Sequence, residues 1–274
     1  MPPAPDVARR ITSLQNESVK FIRALDMRKT RRESGLFVAE GASVLLTARE
    51  HDWAPQTLVL GPEAASNSAT SSLTAWAERA RAEILDVAAP VLEKLAAKAN
   101  PQSVMAVLPQ RWLDAPDPAR VPRDALWLAL EEVRDPGNLG TIIRTADAVG
   151  AAGIFLVGQT CDPYSREAVR ASMGSIFAVP LVRLDQPAFL ALARRWTGDV
   201  AGTHLSGKTD YRAAAYRAPT LLVMGSEAAG LSEATAARCS KLVRIPMAGR
   251  LDSLNLAVAT ALMLYEIRRP ALML

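Results

Sequence analysis

The stretch 243–269, VRIPMAGRLDSLNLAVATALMLYEIRR, constrains this chain more than any other. It reads as a short strand over 243–247, a polar loop over 248–252 and a helix beginning near Ser253, with Asp252 or Ser253 able to cap the first turn through a side-chain oxygen. From Leu254 to Leu264 apolar residues cover almost every face, interrupted by Asn255 and Thr260. A surface helix would carry one apolar stripe. This helix is therefore expected to be buried on several sides, by its own domain, a second subunit or a ligand. It is too short for a membrane span, which needs about 20 apolar residues. Asn255 is out of character there: a carboxamide in the first turn, beside a glycine-containing loop, is either a structural cap or part of a site.

The rest of the chain decides what such a helix could serve. Its 274 residues suit one large or two ordinary domains, and 50% apolar content allows a sizeable core. A net charge of +4 admits nucleic acid as a partner without requiring it. Cys161 and Cys239 lie far apart without metal spacing, and His51 and His204 have no neighbouring ligand residues, so structural thiols, a reducing compartment and no metal site are expected. The N-terminal MPPAPDVARR has no apolar signal-peptide core, and no segment is long enough to span a bilayer, which points to a cytoplasmic protein.

Residues 1–10 read as disordered. From Ile11 to Ser34, Val19, Ile22 and Leu25 follow helical spacing, with Asn16 as a cap. That helix ends in Arg23, Arg28, Lys29, Arg31 and Arg32, which form either a solvated face or a phosphate-contacting patch. Strands at 36–39, 56–60, 84–87 and 104–108 then alternate with helices at 40–50, 73–82 and from Pro90, predicting an α/β domain with a largely parallel sheet over 11–108. It carries neither a dinucleotide-binding turn nor paired catalytic residues, and reads as a binding module. Residues 109–123, PQRWLDAPDPARVPR, hold four prolines and form a semi-rigid linker.

The second domain, 124–274, restarts with a strand at 125–130, the turn EEVRDPGNLG and a helix bearing Arg144. Asn138 and Arg144 can face the space above the strand's C-terminal end, where open α/β sheets bind ligands; Arg144 could equally be an ordinary surface cation. Strands at 154–157, 177–182 and 200–203 alternate with helices at 166–173 and 187–196. A buried strand at 218–225 runs into Ser226-Glu227-Ala228-Ala229-Gly230, where Glu227 is either in functional position or caps the helix that follows near Ser232.

Three patches follow strands in fixed order: Asn138-x-Gly140-x-x-x-Arg144, Gly225-Ser226-Glu227-x-x-Gly230, and Ile245-Pro246-Met247-x-Gly249-x-x-x-Ser253-Leu254-Asn255. Together they resemble the three motifs of the SpoU family of RNA 2′-O-methyltransferases, within the SPOUT class, over about the last 150 residues. Ile11-x-Ser13-x-x-Asn16, the basic helix end and Phe37-x-x-Glu40-Gly41 more loosely resemble the α/β RNA substrate-binding domain of the family's rRNA-modifying members.

The resemblance implies an α/β methyltransferase domain threaded into a deep trefoil knot, a homodimer formed through the knot region, and S-adenosylmethionine (SAM) as cofactor. It implies that Thr203, Met224, Gly225, Ile245, Met247 and Leu254 hold the cofactor, and that Arg144, Asn138, Glu227, Ser253 and Asn255 form the catalytic set. The expected reaction is methyl transfer to a ribose 2′-hydroxyl, with 23S rRNA favoured as substrate and Arg23, Arg28, Lys29, Arg31 and Arg32 as RNA contacts. The family pattern gives proton removal to Arg144. A guanidinium with a pKa above about 12 is better suited to binding ribose or phosphate and stabilising a developing alkoxide. The alternatives are a tRNA 2′-O-methyltransferase and a non-catalytic RNA-binding or ribosome-assembly protein of the same fold. A nucleotide-dependent oxidoreductase is excluded, since no strand is followed by a Gly-x-Gly-x-x-Gly turn.

Overall fold

The computed structural model describes residues 10–66, 68–96, 101–250 and 253–272. The expected disordered segment 1–10, save Arg10, lies outside them, as does Asp252. The chain divides into two compact units, one of Met1–Gln110 with Tyr164–Ala178, the other of Arg111–Pro163 with Val179–Leu274.

In the first unit the single helix expected after Asn16, within 11–34, is two helices, α1 (Glu17–Ala24) and α2 (Arg28–Ser34). Asn16 caps α1 by accepting from the Val19 N–H, and Val19, Ile22 and Leu25 enter the core. Arg31 corrects the sequence reading. Its side chain is not on the surface with the other basic residues but buried, 5% exposed, donating to the carbonyls of Leu25 (2.8 Å) and Asp26 (2.9 Å). It holds the turn between the helices, and so is not available to RNA.

Strand β1 (Leu36–Glu40), helix α3 (Ala42–Glu50), β2 (Thr57–Leu60), α4 (Thr70–Arg79), β3 (Glu83–Asp86), α5 (Ala89–Ala96) and β4 (Val104–Pro109) follow. The sheet order is β1-β4-β2-β3, and only β2 and β3 are parallel; β4 runs antiparallel to both neighbours. The expected largely parallel sheet is thus a mixed one. β4 is buried along nearly its whole length. A continuous apolar run reads the same whichever way its neighbours point.

The second unit is built on β5 (Leu126–Glu131), α6 (Pro136–Ala148), β6 (Gly153–Val157), β7 (Leu181–Leu184), α8 (Gln186–Arg194), β8 (Val200–Thr203), β9 (Thr209–Asp210), β10 (Thr220–Met224), α9 (Glu233–Ala236), β11 (Lys241–Arg244) and α10 (Leu256–Arg268), while α7 (Arg166–Ala171), between β6 and β7 in the chain, belongs to the first unit. Its seven strands are all parallel in the order β7-β6-β5-β10-β8-β11-β9. Trp127 stacks on Phe155 (4.6 Å between centroids) in the core beneath the sheet, with Trp196 set edge-on to Phe155. The helix expected near Ser232 is the four-residue α9, whereas the two-residue β9 was not expected from the sequence.

The expected strand at 177–182 begins only at Leu181; Ser175–Phe177 is a 3₁₀ turn. Phe177 packs edge-on against Trp53 (5.1 Å), whose indole N–H donates to the Phe177 carbonyl (3.0 Å), so this segment is occupied in the first unit's aromatic cluster. Tyr164 lies in the same cluster, 4.7 Å from the Phe37 ring, and Arg166 ion-pairs with Asp26 and with Glu40 (2.7 Å to the latter).

Helix α10 packs on α6, and Arg268 ties its end down through the carbonyls of Val149, Gly150 and Asp124. Its cap is Asn255, neither Ser253 nor the undescribed Asp252. Leu256, Ala257, Thr260, Met263 and Leu264 are buried, whereas Val258 (50%) and Tyr265 (51%) are exposed with Leu262 between them. Within one chain the helix is therefore covered on one side only. Among the described residues no helix is long and apolar enough to cross a membrane, and no group of three or more His, Cys, Asp or Glu could hold a metal ion.

Candidate active site

The loops after β5, β8, β10 and β11 leave the same edge of the sheet, its C-terminal edge, near the point where strand order turns from β6 and β7 back to β10 and β8. That is where open α/β sheets place ligands. Asp135 starts α6 by accepting from the Asn138 N–H (2.6 Å), and Pro136 takes the first helical position, where no amide hydrogen is needed. Asn138 is thereby fixed in the first turn.

After β10, Ser226 and Gly230 exchange backbone hydrogen bonds (3.1 and 3.0 Å) and close a tight loop. A Cβ on Gly225 would lie 2.0 Å from the Gly230 carbonyl carbon, so only glycine permits this closure. The loop turns Glu227 outward, where it is exposed. Ser232, not Glu227, caps the helix that follows.

Three side chains meet at the rim. Asn255 accepts from the Ala257 (2.9 Å) and Val258 (3.3 Å) N–H groups, which obliges its amide nitrogen to point away from the helix. That nitrogen donates to the Asn138 side-chain oxygen Oδ1 (2.9 Å), and the Asn138 side-chain nitrogen donates to Glu227 Oε1 (3.3 Å). The orientation of each amide follows from the helix at one end and the carboxylate at the other. Asn255 thus caps α10 and, with the same side chain, reaches across to Asn138.

Beside this rim is a cavity of about 360 Å³. Thr203, Met224, Gly225, Ile245, Met247 and Leu254 all line it, together with Ser253 and Glu227. Four segments distant in sequence thus converge on one space with largely apolar walls. Arg144 does not line it: it stands on an exposed face of α6 and forms no hydrogen bond or ion pair among the described residues. Arg23, Arg28, Lys29 and Arg32 are exposed on the first unit, with Lys29 loosely paired to Glu33 (4.0 Å).

Sequence reasoning passed over Glu131. This carboxylate is 3% exposed and has no cationic partner among the described residues. It accepts from the Ser232 N–H (2.9 Å), the hydroxyls of Ser232 (2.7 Å) and Thr235 (2.6 Å), and the Gln186 amide (2.9 Å). Burial pushes its pKa up, but the donors from Thr235, Ser232 and Gln186 outweigh burial and hold it below the usual carboxylate value. It anchors the far end of the Glu227 loop. The one available signal was the charge at the end of an apolar strand, shared with Glu132 beside it.

Cys161 has its thiol pushed up to about 12 by burial, with the charges of Glu227 and Asp135 adding to it, and is not a nucleophile at neutral pH.

Known proteins match this arrangement over its whole length. The SpoU rRNA Methylase family profile matches residues 125–265, and that of the MRM3-like substrate binding domain matches 16–106. A crystal structure of an AdoMet-bound rRNA methyltransferase from Sinorhizobium meliloti is 43% identical, with a TM-score of 0.88, covering 97% of this chain and 99% of that one. The 23S rRNA (uridine(2479)-2′-O)-methyltransferase of Streptomyces viridochromogenes is 36% identical over 96% of this chain and 92% of its own. The SpoU methyltransferase AviRb of the same organism, solved with AdoMet, is 34% identical with a TM-score of 0.83, covering 94% and 98% of the two chains.

Proposed function

Because the chain belongs to the SpoU rRNA methylase family, we propose that it transfers a methyl group from SAM to a ribose 2′-hydroxyl of 23S rRNA. The observation that carries this reading is the meeting, at one sheet edge, of the cofactor-candidate cavity with the Asn255–Asn138–Glu227 chain of hydrogen bonds.

The residues present suit SAM. The cavity of about 360 Å³ is of small-molecule size. Its walls of Met224, Ile245, Met247 and Leu254 are apolar, so an adenine edge would be read by backbone groups near Gly225 and Ile245. When bound, the cofactor supplies an electrophilic methyl on a sulfonium. The rest of the work is positioning, in which alignment of two reactants lowers the barrier. Glu227, Asn138, Asn255 and Ser253 orient the ribose and the loops around it. Arg144, cationic at neutral pH, binds the ribose or an adjacent phosphate and stabilises the alkoxide charge as the hydroxyl proton leaves.

The exposed basic side chains Arg23, Arg28, Lys29 and Arg32 contribute RNA affinity through phosphates, which carries no sequence choice. The domain scheme follows: an RNA-binding domain over 11–108, a proline-rich stretch over 109–123, and a methyltransferase domain from 124 threaded as a deep trefoil knot.

The apolar stripe Val258, Leu262 and Tyr265, in a groove also lined by Thr141 and Thr145 of α6, supports a homodimer through this helix. The protein would act in the cytoplasm on its rRNA. The test is transfer of tritiated methyl from SAM to total rRNA and tRNA from cells lacking the gene, followed by mapping of 2′-O-methylated positions. Label at one 23S position is expected. Label confined to tRNA overturns the substrate, and no label, with no SAM binding by calorimetry, overturns the reaction.

A further inference from the structure

A second recess, of about 680 Å³, adjoins the cofactor cavity and shares Leu205, Arg244 and Met247 with it. Its far wall is the loop from β8 to β9. The loop lies close on β11 because residue 207 is glycine: a Cβ there would sit 2.8 Å from the Val243 carbonyl carbon and 3.0 Å from the His204 oxygen. Strand β9 then pairs in parallel with β11, setting Asp210 opposite Arg244. Arg244 and the neighbouring Lys208 both line the recess and are both exposed.

The charges do not cancel. Asp210 is the only carboxylate among the described residues lining the recess, and it is committed elsewhere. It accepts from the Arg212 guanidinium at both oxygens (3.1 and 2.7 Å) and from the Arg212 N–H (2.9 Å). Neither Lys208 nor Arg244 forms a side-chain hydrogen bond or ion pair among the described residues. Two uncompensated cations therefore stand in a built recess whose shared wall, Arg244, reaches the cofactor cavity.

We infer that the Lys208–Arg244 recess binds a backbone phosphate of the RNA next to the methylated nucleotide. The inference rests on the proposed reaction, since it is the RNA substrate that brings phosphates to this edge. The same cations could instead meet a carboxylate of the cofactor, and the test separates the two sources.

The experiment uses the full chain with unmodified 23S rRNA made by transcription. RNA affinity is measured across a potassium chloride series, SAM affinity by calorimetry without RNA, and methyl transfer at saturating SAM. For Lys208→Glu, and for Lys208→Ala with Arg244→Ala, the KM for RNA should rise at least about fivefold. The slope of log affinity against log salt should flatten by about one contact's worth, 0.7–0.9. SAM affinity of Lys208→Glu should be unchanged, and Lys208→Arg should restore the wild-type slope. An unaltered slope and KM overturn the inference. A SAM affinity weakened about tenfold by Lys208→Glu also overturns it and assigns the recess to the cofactor. Failure of the wild type itself to transfer methyl is a distinct result, which removes the proposed reaction while the salt slopes can still be read.

Discussion

Two glutamates stand at the C-terminal edge of the same sheet, following adjacent strands, and the molecule treats them in opposite ways. Glu131, at the end of β5, is buried and receives four hydrogen bonds from Ser232, Thr235 and Gln186. Glu227, just after β10, is exposed and held by one hydrogen bond of 3.3 Å from Asn138. The first has no acceptor capacity to spare and fixes the loop on which the second is carried. The second keeps most of its lone pairs unused by the described residues. Such a division is what a positioning enzyme needs: a satisfied polar network holds geometry, while unsatisfied groups at the rim meet substrate. The difference predicts that rim substitutions cost turnover and floor substitutions cost stability first.

The sharpest break of that comparison is Arg144→Ala. It should lower kcat by about 10²-fold or more, the usual cost of one lost charge-stabilising donor, with melting temperature and SAM affinity unchanged. Full activity in this variant would remove Arg144 from the mechanism.

Glu131→Gln should behave oppositely. Leaving several buried donors poorly matched should cost about 1–3 kcal/mol, read as a lower denaturation midpoint, and should raise the KM for SAM more than it lowers kcat. The pH dependence has a defined sign. Its folded-state pKa lies below the ordinary carboxylate value of 4.5, so its stabilisation is complete above that pH and is lost as pH falls through the depressed value. Below pH 4.5 the wild-type stability should decline more steeply than that of the variant. Parallel acid limbs would show that Glu131 is not the group responsible.

Asn255→Ala lies between the two, because one side chain serves both regions. Loss of the α10 cap should cost about 1 kcal/mol, and release of Asn138 should lower kcat with little change in SAM affinity. A purely structural cap would leave kcat alone. The smallest expected effect is on the first unit. Arg32→Ala should weaken RNA binding about two- to threefold and leave stability intact, since it is exposed. Arg31→Ala should lower stability instead, because Leu25 and Asp26 lose their donor. If both variants weakened RNA binding alone, the contrast between the buried Arg31 and the exposed Arg32 would carry no meaning.

Much of this was legible in the residues. Periodicity gave nearly all the strands and helices, and turn chemistry placed Asn138, Gly225 and Glu227 after strands. What stayed hidden has physical causes. A strand buried on both faces, such as β4, carries no mark of direction, so the first unit's mixed sheet read as parallel. Arg31 sits in a run of basic residues, and nothing local separates the one that turns inward from those that turn out. Ser175–Phe177 is apolar like a strand, but Trp53 claims its carbonyl across more than a hundred residues of chain.

The sequence alone determined the two α/β halves, the apolar excess of α10 and the residue types the chemistry needs, because these depend on composition and on periods of a few residues. Only the tertiary structure decided that Asn255, Asn138 and Glu227 form one hydrogen-bonded chain across more than a hundred positions. The same is true of Glu131 beneath the loop and of the two cations that have no partner among the described residues beside the cavity. A hydrogen bond or an ion pair is satisfied within about 3–4 Å, and sequence separation carries no information on that distance until the sheet has brought its loops to one edge.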